Sequence, residues 1–213
     1  MELSNERVAL IAGVENRVGT AAAKKLKTAG WKVIGIDVLL KANSAADLDE
    51  YFSLDMTNRK RFKELVTVIE KAYGEIYALF CATGFEEDRQ CGDFLETPVE
   101  QWQKCLDGWL GSSINACAAV APNMVMRKEG RIIILSPDYS KANNENIFMA
   151  VGAGTLHGFA KSFGVEMAKE NVLVNCIYPN VPFNEDTIAA TVQFLVESGN
   201  YVSAQVISIK GRE

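Results

Sequence analysis

Two groups of residues in this chain have types and spacings that could do chemistry. The first is a glycine turn. Gly13 closes a short apolar run, and the loop Gly13-Val-Glu-Asn-Arg-Val-Gly19 leads into a helical pattern. Glycines at such a place leave room for an anionic group, a pyrophosphate above all, to reach the backbone N–H groups of a helix N-terminus. Asp37 ends the next apolar run, 24 positions after Gly13, where a carboxylate can accept hydrogen bonds from an adenosine ribose. A tight turn with no ligand explains the same glycines, so the spacing leaves both readings open. The second group is the cysteines, Cys81, Cys91, Cys105, Cys117 and Cys176, with no CxxC pair and with His157 as the only histidine. A zinc site needs closely spaced Cys and His ligands, so no metal is expected. An odd thiol count with no secretory signal implies reduced, buried cysteines and a cytoplasmic setting.

The elements that must position these groups alternate between two hydrophobic periods. Arg7 to Ala12, Trp31 to Asp37, Ile76 to Ala82, Arg131 to Ser136, Val172 to Tyr178 and Ala204 to Ile209 are short apolar runs that predict buried strands. Between them, Thr20 to Ala29, Asn58 to Tyr73, Pro98 to Lys128, Ile147 to Glu170 and Asn184 to Ser198 carry helical spacing. Thr57 is the expected N-cap of the second helix and Gly74 its stop. Strands apolar on both faces, alternating with helices, predict a doubly wound parallel sheet in one α/β domain over residues 1–213. The ligand crevice of such a sheet lies beyond the C-terminal ends of its strands.

Composition excludes several classes. At 213 residues, 48% hydrophobic and 23% charged, the chain has an ordinary globular balance. Its net charge of −5 argues against nucleic acid, which requires a basic face. No run is long enough to span a bilayer, and no signal peptide is visible at Met1 to Arg7.

Taken in order, AGVENRVG (Ala12 to Gly19), LDMT (Leu54 to Thr57), CATG (Cys81 to Gly84), GRIIILS (Gly130 to Ser136), GFAKSFGVEMA (Gly158 to Ala168) and VLVNCIYP (Val172 to Pro179) resemble the short-chain dehydrogenase/reductase family across nearly the whole chain. The resemblance implies a Rossmann-type sheet of seven strands, an NAD-type cofactor and assembly into dimers or tetramers. It implies cofactor contacts at Gly13, Arg17, Val18, Gly19, Asp37, Asp55, Met56, Ala82 and Gly84.

Carried over residue by residue, the family's active site is largely missing. The tyrosine and lysine of its YxxxK pattern fall on Met149 and Ala153, its helix asparagine falls on Gly108, and only its serine survives, as Ser136. Reduction of a carbonyl needs a proton donor beside the hydride acceptor, and lysine lowers the tyrosine pKa for that task. Met149 and Ala153 can neither donate a proton nor hold an anion. Tyr139 and Lys141, in a polar loop, are expected in solvent, and His157 is expected to be a packed or capping histidine.

Two more departures concern binding. Arg17 replaces the middle glycine of the phosphate loop and would crowd the pyrophosphate, so NAD is expected to bind weakly or not at all. Only Asn180 to Asn184 stand between Pro179 and the next helix, where active relatives carry a substrate lid. Meanwhile Ala116, Ala118, Ala119, Ala121, Gly152, Gly154 and Gly158 leave the two long helices able to pack closely on partner helices.

The expectation is therefore a non-catalytic subunit paired with an active paralogue in a heterotetramer. By analogy the substrate would be a 3-hydroxyacyl-CoA such as 2-[hydroxy(phenyl)methyl]succinyl-CoA. The alternatives are a homo-oligomeric dinucleotide-binding regulator, or an active NAD(P)-dependent oxidoreductase with relocated catalytic groups.

Overall fold

A computed structural model describes residues 7–83, 95–137, 147–180 and 183–210. Seven strands form one sheet: β1 (Val8–Ala12), β2 (Lys32–Asp37), β3 (Glu50–Ser53), β4 (Ile76–Cys81), β5 (Gly130–Leu135), β6 (Val172–Asn180) and β7 (Val206–Lys210). They run in the order β3-β2-β1-β4-β5-β6-β7, and every pair is parallel. The order reverses between β1 and β4, which opens the crevice between their C-terminal ends. The six apolar runs all became strands. Glu50–Ser53 gave no sequence signal because it is a four-residue edge strand with half-buried side chains.

Alternation along the strands assigns the helices to faces. Ala9 and Ile11 turn toward α1 (Arg17–Thr28) and α6 (Glu185–Glu197), which supply Val18, Ala22, Leu26, Ile188, Val192 and Leu195. Val8, Leu10 and Ala12 turn the other way, onto α2 (Arg59–Tyr73), α4 (Ser112–Arg127) and α5 (Ile147–Ala168). Both faces are dry, as the strand composition requires. The cap of α2 is Asn58 rather than Thr57: its side chain accepts from Arg61 N, while Thr57 turns back to bond Asp55.

The expected single helix from Pro98 to Lys128 is broken. It consists of α3 (Val99–Leu106), a π-helical turn at Asp107–Gly111, and α4. The extra residue in a π turn changes which side chains face inward, and here Trp109 is buried, 1% exposed. Its ring lies against Gly152 of α5, where an added Cβ would sit 2.2 Å from Cε3. Only a residue without a side chain allows that approach. Of the small residues expected to admit a partner helix, Ala116, Ala119, Ala121 and Gly152 are buried within the subunit, whereas Gly154 and Gly158 are exposed.

Three cysteines are free and buried, Cys81, Cys117 and Cys176. Burial pushes the Cys176 thiol up to about 12, so it is no nucleophile. Cys105 departs from the expectation of reduced thiols: it is disulfide-bonded.

Gly152→Val should destabilise the fold by about 1–3 kcal/mol through overpacking against Trp109, measured by urea unfolding. An unchanged midpoint would show that the ring is free to move aside.

Candidate functional site

A cleft of about 510 Å³ lies over the C-terminal ends of β1, β2 and β4 and is lined by Gly13, Glu15, Asn16, Asp37, Asp55, Met56, Ala82, Lys104 and Gly108, among others. Gly13, Asp37, Asp55, Met56, Ala82 and Gly108 were selected from sequence, and the fold brings all of them to this one cleft. Gly84, Tyr139 and Lys141 lie outside the described residues.

The floor of the cleft is fixed by the turn after β1. Gly13 has φ +83°, a left-handed conformation natural to glycine, and a side chain there would meet the Thr83 backbone at 2.9 Å. Asn16 then ties three elements together. Its Nδ2 donates to the carbonyls of Gly13 (2.8 Å) and Ala82 (2.9 Å). Its Oδ1 accepts from the N–H groups of Val18 (3.0 Å) and Gly19 (2.8 Å), capping α1. These are N–H groups of the helix N-terminus, where an anion would otherwise be received.

Arg17 does not point into a phosphate channel. Its guanidinium pairs with Glu185 at 3.1 Å and lies over the Phe183 ring, 4.6 Å from the centroid. It thereby links the start of α1 to the start of α6. β6 ends at Asn180 and α6 begins at Glu185.

The wall beside Asp37 has a different character. Its two carboxylate oxygens each accept one backbone N–H, from Glu15 (3.0 Å) and from Val38 (2.7 Å). An ionised carboxylate retains further acceptor sites. Val38 and Leu39, which follow it on the cleft wall, are 55% and 43% exposed, so an apolar ledge stands beside the acid. Burial pushes the Glu15 carboxyl up, but the Ser44 hydroxyl and the N–H groups of Asn43 and Ser44 hold it below its ordinary value. The Asp55 carboxyl is likewise held low, by the hydroxyl and N–H of Thr57. Asn115 of α4 donates to the carbonyls of Met56 (3.1 Å) and Thr57 (2.9 Å), fixing the loop that carries Asp55. Asn115 was missed in the sequence because an asparagine inside a helix has no spacing signature.

Beyond β5 lies Ser136, the position onto which the family's serine was carried from the sequence. Ser136 is fully buried, and its Oγ donates to Pro137 O at 3.0 Å and lies 2.8 Å from His157 Nε2. The imidazole also packs against the Tyr178 ring, with centroids 5.3 Å apart. Burial, and secondarily the charge of Lys161, hold its pKa below the ordinary histidine value, favouring the neutral ring. On the same helix Ala153 is fully buried and Met149 packs against the core. Among the described residues no group of three or more His, Cys, Asp or Glu could hold a metal ion.

Set against a nicotinamide dinucleotide, these residues fit one half of the molecule. Asp37, the Val38–Leu39 ledge, Asp55 and Met56 suit an adenosine. The donors that would take the pyrophosphate are bonded to Asn16, and Arg17 beside them is held by Glu185 and Phe183.

Residues 7–184 match the profile of the short chain dehydrogenase family. Acetoacetyl-CoA reductase of Acinetobacter sp. is 27% identical over 98% of each chain. The 3-oxoacyl-[acyl-carrier-protein] reductase FabG of Escherichia coli is 26% identical over 81% of this chain and 72% of its own. Among solved structures, NADP-bound ElxO superposes with a TM-score of 0.85 at 17% identity, covering 97% of this chain and 98% of that one. A short-chain type dehydrogenase/reductase from Mycobacterium ulcerans gives 0.83 at 19%, covering 96% and 88%. No helix among the described residues is long and apolar enough to cross a membrane.

Two outcomes follow from the cleft. Asn16→Ala removes the cap of α1 and leaves two carbonyls without their donor; it should lower stability by about 2 kcal/mol in urea unfolding, and no loss would mean that water replaces the side chain. Glu15, with its folded pKa lowered, stabilises the protein above the ordinary carboxylate range, and that stability is lost as pH falls through the folded value. Ser44→Ala should therefore move the acid-unfolding midpoint to higher pH by circular dichroism; an unmoved midpoint would discount this bond.

Proposed function

The chain belongs to the short-chain dehydrogenase family, and from that premise we propose that it is a non-catalytic subunit that assembles with a catalytically complete member of the same family. The observation that carries the reading is the content of α5: Met149 and Ala153 occupy the positions of the phenol and the ammonium. Proton transfer by a positioned acid is worth about 10²–10⁴ in rate, and a buried serine hydroxyl alone does not supply it. The packing of Trp109 under Gly152 supports the same conclusion, since it fills space between the π turn and the catalytic helix.

The surface for the partner is the outer face of α4 and α5. There Ile114, Ala121, Val125, Phe159, Phe163 and Met167 line an apolar groove of about 300 Å³, with Phe159 and Phe163 stacked at 5.2 Å. A small apolar groove on exposed helices is a surface that association would bury. The assembly would oxidise a 3-hydroxyacyl thioester, or reduce its 3-oxo counterpart, with the nicotinamide held by the complete subunit. This substrate class is supported by the names of the relatives, an acetoacetyl-CoA reductase and 3-oxoacyl carrier-protein reductases. The aromatic member of that class, 2-[hydroxy(phenyl)methyl]succinyl-CoA, is a narrower proposal by analogy.

A second reading rests on the Ser136–His157 contact. In it the chain is itself an oxidoreductase: a bound reduced nicotinamide would supply the hydride to the carbonyl carbon, and His157, in place of the lost phenol, would give the proton to the carbonyl oxygen, with Ser136 orienting the ring. Under this reading, purified chain reduces acetoacetyl-CoA and His157→Gln abolishes the activity.

The readings separate on co-expression with a complete family member. The subunit reading expects a mixed tetramer by native mass spectrometry, broken at least tenfold more easily by Phe163→Glu, and activity unaffected by His157→Gln in this chain. A stable homo-oligomer that takes up no such subunit would contradict it.

A further inference from the structure

The cleft and the helix that should complete it disagree about what binds. The Asp37 side offers a carboxylate with acceptor sites remaining, an exposed apolar ledge at Val38 and Leu39, and a second carboxylate at Asp55. At 510 Å³ it lies within the roughly 300–1,000 Å³ of small-ligand sites. Every feature needed for an adenosine is open: a partner for the 2′,3′-diol, an apolar face for the purine, and polar groups at the purine edge. Toward α1 the opposite holds. Val18 N–H and Gly19 N–H are bonded to Asn16 Oδ1, and Arg17 is paired with Glu185 and stacked on Phe183.

We propose that this cleft is a site for adenosine with a free 2′,3′-diol, and that it gains nothing from the rest of a dinucleotide. The physical reason is competition within the protein. A phosphate arriving at the start of α1 must displace the Asn16 cap before it gains the same two N–H groups. The gain from an added phosphate is thereby offset, and affinity stays at the level the adenosine sets. A 2′-phosphate beside Asp37 meets like charge and is rejected. This inference does not depend on what the chain pairs with, because the cleft and the α4/α5 groove are built from different residues.

The test is isothermal titration of the whole chain with adenosine, AMP, NAD, NADP and guanosine. Adenosine, AMP and NAD should bind within about threefold of one another, with NADP and guanosine at least tenfold weaker. Asp37→Ala should abolish binding of all three adenosine ligands, with the far-ultraviolet spectrum confirming that the variant folds. Two results would overturn the proposal: NAD binding tenfold or more tighter than AMP in the unaltered chain, or no binding of adenosine at all. Neither result bears on whether the chain joins a mixed tetramer, so failure here is distinguishable from failure of the subunit reading.

Discussion

A single asparagine holds the ligand end of this sheet together. Asn16 gives two hydrogen bonds to the carbonyls that directly follow β1 and β4 and takes two from the first turn of α1. It thus joins the two strands between which a doubly wound sheet opens its crevice to the helix that points at that crevice. Each such bond contributes about 0.5–1.5 kcal/mol net, so together they are a sizeable part of a domain's margin of stability. In a site built to receive a phosphate, those N–H groups wait for a ligand. Here the chain satisfies them from within, and the turn is complete as folded.

The same inward satisfaction recurs along the cleft. Arg17 spends its charge on Glu185 and its flat face on Phe183. Trp109, turned inward by the π segment, takes the space under Gly152. Ser136 is bonded to His157 and to the next carbonyl. What stays open is the edge between β1, β2 and β4, where Asp37, Val38 and Leu39 still face the cleft.

The layers of this fold were legible because β1, β2, β4, β5 and β6 are largely apolar runs buried along most of their length. β3 was not, since four half-buried residues at an edge leave no period to read. The family's YxxxK pattern was placed by register alone: Ala153 follows Met149 by four positions, and no Tyr or Lys lies within a slip of two. The inward bonds were not legible. Asn16, Asn115 and the Arg17–Glu185 pair join residues far apart in sequence, and their energies come from tertiary placement that local pattern does not encode. Trp109 was hidden for another reason, because a π turn changes helical phase without changing composition. His157 is intermediate: it packs, as its position suggested, but it packs on the hydroxyl of Ser136.

Central to this account is that the first-turn amides of α1 belong to Asn16 and not to a ligand. Titration of 15N-labelled protein with NADH reports on those amides directly. The account predicts saturable shifts at Val38 and Asp55 while the Val18 and Gly19 amides stay where they are. Large, saturable shifts at Val18 and Gly19, of the size a phosphate hydrogen bond produces, would contradict it.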